Sequence, residues 1–159
     1  MILGRAPSNL SAQSQPGSTL QESLSAVFTD VTLRTFPQDE DYLSKINRYN
    51  LDYPVYPAAI VRPKSVEQVS AAVKSAVKAG VKVQAKSGGH SFANYCLGGA
   101  DGALVVDLAH LQKFEMDRTT WRATIGAGTL LGDVTTRLHN AGGRAIAHGT
   151  CPAVGVGGR

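Results

Sequence analysis

Lys86-Ser87-Gly88-Gly89-His90-Ser91 sets a glycine pair and a histidine at the exit of a strand-like run, and Gly149-Thr150-Cys151-Pro152-Ala153-Val154-Gly155-Val156-Gly157-Gly158 brings a second glycine-rich loop downstream. Glycine has no Cβ, so its backbone N–H can turn toward an anion, and it reaches φ values that other residues avoid. Each loop can therefore cradle a diphosphate. Two such loops in one chain point to one bound cofactor. A glycine pair after a strand also serves as a plain turn, and the loop residues alone leave both readings open.

Other residues offer weaker chemistry. His148 stands three positions before Cys151, a spacing found in zinc sites, but no second Cys or His pair accompanies it, so loop packing is the expected role. His110 and His139 fall on helical turns and read as surface residues. Cys96, in Asn94-Tyr95-Cys96-Leu97-Gly98-Gly99, reads as a buried free thiol. Gly126-Ala127-Gly128 imitates the start of a dinucleotide-binding fingerprint, with Gly132 near the place of its third glycine. The spacing is G-x-G-x-x-x-G and no Asp or Glu follows Asp133, so the acidic partner of a ribose hydroxyl is missing and a tight turn is the better reading.

The elements that must position these loops follow from hydrophobic periodicity. Residues 1–17, rich in Ser, Gln and Pro, read as a disordered leader. Leu20, Leu24, Val27 and Phe28 have helical spacing, predicting a helix from Ser18 to about Phe28. Residues 35–58 carry Pro37, Pro54 and Pro57 among Tyr42, Tyr49, Tyr53 and Tyr56 and read as an irregular crossing segment whose tyrosines pad a surface. Ala59-Ile60-Val61 predicts a short strand stopped by Pro63. Ser65 and Gln68 then form a capping-box signature, and a helix with Val66, Val69, Val73, Ala76 and Val77 on its buried face runs to Gly80. Val81, Val83 and Ala85 alternate as a strand feeding the first loop. Ala103 to Val106 predicts a buried strand, Leu108 to Lys113 a helical turn, and Thr120 to Ile125 another strand. Thr129 caps a helix through Leu130, Val134 and Leu138 that ends at Gly142-Gly143, and Arg144 to Ala147 returns as a strand into the second loop. The order implies a mixed α/β (α+β) fold of small sheets flanked by helices.

Composition narrows the class. The 159 residues suffice for one buried core, and 43% hydrophobic with 18% charged residues is ordinary for a globular domain. The net charge of +4 is scattered and only 6% of residues are aromatic, which argues against nucleic acid and for a basic surface facing an anionic ligand. No apolar run approaches the ~20 residues that cross a bilayer, and the N-terminus lacks a secretory core, so no membrane partner and a cytoplasmic location are expected. Cys96 and Cys151 are the only thiols and are expected reduced. The sequence does not set an oligomeric state.

Ser87-Gly88-Gly89-His90-Ser91 together with Cys151 in its glycine-rich loop closely resembles the berberine-bridge-enzyme-like flavin oxidases, and among them the glucooligosaccharide and chitooligosaccharide oxidases. The resemblance runs from Tyr49 to Gly158 and takes in Ile60 to Ala79, Gly98-Gly99 and Val106-Asp107-Leu108. It implies a vanillyl-alcohol-oxidase-type (PCMH-type) FAD-binding domain over 58–159, preceded by a helix and irregular segment over 18–57. It further implies that Ser87, Gly88, Gly89, His90, Ser91, Gly149, Thr150, Cys151, Val154, Gly155, Val156, Gly157 and Gly158 bind FAD, with His90 bonded to the flavin 8α carbon and Cys151 to C6. An imidazole nitrogen and a thiolate are both competent nucleophiles for those positions. The implied reaction moves hydride from a sugar or small alcohol to FAD and then to molecular oxygen.

Two departures bear on these expectations. Phe92 stands where the oligosaccharide oxidases have a tyrosine lining the sugar site, which removes a hydroxyl donor and admits an intracellular oxidoreductase of secondary metabolism. The family's substrate domain and its catalytic tyrosine and acidic residue lie beyond the position of Arg159. The chain alone is therefore expected to bind FAD weakly, as a fragment or as a truncated, non-catalytic remnant.

Overall fold

A computed structural model describes residues 16–158, with side chains from Thr19 onward. Its elements are α1 (Pro16–Val27), β1 (Arg34–Thr35), α2 (Tyr42–Ile46), β2 (Ala59–Val61), α3 (Val66–Ala79), β3 (Val83–Lys86), β4 (Leu104–Asp107), β5 (Phe114–Met116), β6 (Ala123–Ile125) and α4 (Leu131–Gly142). The disordered-leader expectation lies outside the described residues for positions 1–15. Its last two positions, Pro16 and Gly17, instead open α1.

The main sheet has the order β1-β2-β4-β3. Both β2 and β3 run parallel to β4, and β1 pairs antiparallel with β2. Alternation divides the core across this sheet. Ala59, Val61, Leu104 and Val106 pack with Leu20, Leu24 and Phe28 on one face, while Ile60 and Val105 pack with Tyr42, Ile46 and Leu97 on the other. A strand covered on both faces shows an unbroken apolar run, which is why β2 and β4 stand out in the sequence. A second, two-stranded sheet pairs β5 antiparallel with β6. No helix among the described residues is long and apolar enough to cross a membrane.

The α3 boundaries follow their local signals. The Gln68 N–H donates to Ser65 Oγ at 3.3 Å, Gln68 Oε1 accepts from Lys64 N at 2.7 Å, and Gly80 closes the helix at φ 67°. Of the face expected to be buried, Ala76 is buried and Val69 packs against the core, but Val66, Val73 and Val77 are exposed. Ala72, Ser75 and Ala76 are buried, whereas Val66 and Val77 are 71% and 72% exposed. The reason is steric: α1 lies along α3, and small residues let the two helices and the sheet approach closely.

Four further expectations are corrected. Residues 35–58 contain β1's second residue, which pairs with Ile60, and the helix α2; Tyr42 is buried, its hydroxyl donating to Pro57 O at 2.7 Å. Leu108 to Lys113 forms a single turn closed by Leu111 N donating to Leu108 O at 2.8 Å, without helix, and leads into β5. The strand expected from Thr120 begins at Ala123, because Trp121 sits at φ 58° in a turn organised by Asp117, whose carboxylate accepts from the N–H groups of Thr119 and Thr120. Arg144 to Ala147 is exposed coil and has no ladder partner among the described residues.

Candidate flavin site

The first loop leaves β3 above a buried ion pair. Lys86 Nζ lies 3.1 Å from Asp107 Oδ2, and both side chains are 8% exposed. Asp107 also accepts from Ala109 N at 3.2 Å, so the carboxylate is doubly engaged. The Lys86 stem passes directly under Gly89, where an added Cβ would meet Lys86 Cε at 2.8 Å. Gly89 has φ 73°, and its carbonyl accepts from Ser91 N and from the Cys96 thiol.

The second loop is seated on the start of α4. Leu131 N donates to Val154 O and Gly132 N to Pro152 O, so main-chain carbonyls of the loop satisfy the first helical N–H groups. This corrects the role expected for Thr129: the helix N-cap is Leu130, with no side-chain cap, and the buried Thr129 hydroxyl has no partner. The Thr129 carbonyl instead accepts from Val156 N. Gly126 and Gly128 are required by close approach to the 108–113 segment, since added Cβ atoms would meet Leu111 O at 2.2 Å and Leu108 O at 1.8 Å. Their turn joins the site through Ser87 Oγ, which donates to Ala127 O.

The two glycine loops touch. A Cβ on Gly88 would lie 2.4 Å from Gly155 N, and one on Gly155 would lie 2.2 Å from Gly88 N. Between them opens a cavity of about 350 Å³, lined by Ser87 to Ser91 from the first loop and by Val154, Gly155, Gly157 and Gly158 from the second. The N–H groups of Gly88, Gly89 and His90 take no partner among the described residues. Unsatisfied N–H groups on a glycine bend form an anion-binding concavity, so the residues present fit a diphosphate-bearing cofactor.

Cys151 does not line that cavity. Its Sγ stands 3.4 Å from His90 Nε2, at the adjoining edge of the first loop. Both Cys96 and Cys151 are free thiols. Gly149 and Thr150 are exposed on the approach to Cys151, and the Val156 N–H is committed to Thr129. His148 lies between Thr135 Oγ1 at 2.8 Å and Gly149 O at 2.6 Å, which gives it a loop-packing role. His110 and His139 are exposed.

Sequence reasoning missed several participants. Tyr49, assigned to surface padding, sets its ring centroid 4.2 Å from that of His90. Asn94 is fully buried at φ 52° and bonds the 50–53 segment with both ends of its amide. Only its identity as an asparagine, tolerant of left-handed backbone, gave any signal. Cys96 lines the cavity as well. Burial raises its thiol above the ordinary value, with the Lys86 ammonium opposing that shift. The neutral thiol therefore persists to higher pH in the fold than in the unfolded chain. Iodoacetamide labelling of Cys96, followed by peptide mass spectrometry, should show its midpoint at higher pH in native protein than in urea; an equal or lower native midpoint contradicts the assignment.

A mixed sheet with one glycine loop at the exit of β3, locked against a second glycine loop seated on the start of α4, is the arrangement of a PCMH-type FAD-binding domain. The chain belongs to the FAD binding domain family (FAD_binding_4), which matches residues 57–159. It is 48% identical to the FAD-linked oxidoreductase sorD of Penicillium rubens over 123 residues, 77% of this chain and 26% of that protein. Its fold matches wild-type BBE-like 1 of Physcomitrella patens with a TM-score of 0.80 at 37% identity, over 87% of this chain and 29% of that one. It also matches the glucooligosaccharide oxidase of Acremonium strictum, whose FAD is 6-S-cysteinyl and 8α-N1-histidyl, with a TM-score of 0.78 at 37% identity over 88% of this chain and 29% of that one. The chain thus spans little more than a quarter of the length of these relatives.

Proposed function

We propose that this chain is the cradle of an FAD-linked oxidase acting on a sugar or small alcohol, with FAD attached through both His90 and Cys151. The observation that carries the reading is the 3.4 Å approach of Cys151 Sγ to His90 Nε2, two nucleophiles from separate loops, His90 lining the cavity and Cys151 beside His90. The glucooligosaccharide oxidase, with a cysteinyl and a histidyl attachment on one flavin, supports the same pairing here.

When bound, FAD supplies hydride acceptance from a substrate C–H bond and delivery of the electrons to molecular oxygen. The chain's residues bind and orient it. Gly88, Gly89 and His90 offer N–H groups to the diphosphate, and Gly155 to Gly158 close the opposite wall, with Gly149 and Thr150 leading to Cys151. Attachment at His90 or Cys151 would exchange a C–H bond of the flavin and an N–H or S–H bond of the protein for one C–N or C–S bond. The two protons and two electrons released would go to oxygen as hydrogen peroxide.

Phe92 is 76% exposed and meets Tyr49 edge-on at 5.2 Å, presenting no hydroxyl at this rim. That favours a substrate with an apolar edge over one recognised by a sugar hydroxyl here. For the attachment, protein produced with FAD present should retain one FAD mass after denaturation. His90→Ala and Cys151→Ala should each retain it through the other residue, and the double variant should lose it. Wild-type protein that releases all its flavin on denaturation would overturn the reading.

A further inference from the structure

We infer that Tyr49 is a positioning residue for His90, held in place by a reciprocal Asn50–Asn94 clasp; this rests on the flavin reading above. The His90 imidazole is held from two sides. Tyr49 lies against it at 4.2 Å with the ring planes 41° apart, and the Cys151 sulfur faces Nε2 at 3.4 Å. A histidine on a glycine-rich loop is otherwise free to change χ1 among staggered wells and χ2 over a broad two-fold range. A ring packed on the imidazole selects one of them, and such selection is what fixed orientation contributes to bond formation.

The segment that carries Tyr49 is fixed through the main chain of its neighbour Asn50 and of Tyr53. Asn94 Nδ2 donates to Asn50 O at 2.8 Å and to Tyr53 O at 2.7 Å, while Asn94 Oδ1 accepts from Asn50 N at 3.2 Å. Asn50 Nδ2 donates back to Phe92 O at 2.9 Å, two residues from His90. The clasp thus ties the segment carrying Tyr49 to the loop carrying His90; Asn94 is fully buried, whereas the Asn50–Phe92 bond lies at the surface.

The test separates the two attachments. Protein produced with FAD is denatured and digested, and flavinyl peptides at His90 and at Cys151 are counted over a time course. In Tyr49→Leu, attachment at His90 should slow by roughly tenfold or more while attachment at Cys151 persists. Tyr49→Phe, which keeps the ring, should restore the wild-type ratio. Asn94→Gly, which keeps the left-handed backbone but removes the clasp, should reproduce the loss and serves if Tyr49→Leu fails to fold. A purely structural role would lower both attachments together with the melting temperature. That result, or an unchanged ratio in Tyr49→Leu and Asn94→Gly, overturns the assignment. Failure of the flavin reading shows separately, as wild-type protein with flavin at neither residue, and takes this inference with it.

Discussion

Gly155→Ala should lower FAD affinity at least about 100-fold and destabilise the fold by about 3 kcal/mol, the upper part of the range for forced overpacking. The added methyl would stand 2.1 Å from Ser87 Oγ and 2.2 Å from Gly88 N. Neither neighbour yields freely. Ser87 Oγ is bonded to Ala127 O, Gly88 is main chain, and Gly155 itself bridges to Leu130. The loops would have to part, and the cavity they enclose would lose its shape. Gly80→Ala is the matched control, because Gly80 has φ 67° but nothing within 4 Å of its Cβ position. It should cost about 1 kcal/mol of backbone strain and leave FAD affinity unchanged. Calorimetric titration with FAD, with Gly155→Ala and Gly80→Ala each placed in a His90→Ala/Cys151→Ala background so that no flavin is held covalently, and thermal melts of both give the comparison; Gly155→Ala binding FAD within threefold of its parent would remove the interlocked-loop account.

Lys86→Met should destabilise the fold by about 3–5 kcal/mol, since it strands the Asp107 carboxylate in the interior without its cation. Asp107 is 6% exposed and keeps only the N–H of Ala109 once Lys86 is gone. Methionine retains most of the aliphatic stem under Gly89, so the loss is electrostatic rather than a cavity. The double variant Lys86→Met/Asp107→Leu should recover much of the stability, because replacing both buried charges by apolar groups removes the desolvation penalty along with the attraction. Denaturant melts of the two single variants and the double variant form the cycle. A cost below about 1 kcal/mol for Lys86→Met would mean that the pair is hydrated in solution.

What the sequence discloses about this fold tracks the range of the interactions involved. Ser65 as cap, Gly80 and Gly143 as left-handed terminators, and the apolar runs of β2 and β4 are signals contained within a few residues, and their elements lie where those signals put them. The short β5 went unread because Phe114-Glu115-Met116 has neither the unbroken apolar run of β2 nor the longer alternation from Trp121 to Ile125 that disclosed β6. Thr129 shows the opposite failure: a good capping residue is displaced by carbonyls of the second loop, more than twenty positions later in the chain.

The site divides in the same way. Glycine pairs, one histidine and one cysteine of the right types are written locally, and through them the FAD-binding class was legible from the sequence. Their meeting was not. The Gly88–Gly155 contact, the Lys86–Asp107 pair and the Asn50–Asn94 clasp each join residues far apart in the chain and become specific only once the β1-β2-β4-β3 sheet sets the loops side by side. The amino-acid order alone determined where β2, β4, the ends of α3 and the C-terminus of α4 lie and which nucleophiles are available, because those depend on steric and hydrophobic preferences of neighbours in sequence. Packing decided that the imidazole of His90 faces the sulfur of Cys151 and carries Tyr49 on its ring, because a distance of a few ångströms between remote residues depends on every contact that closes the core between them.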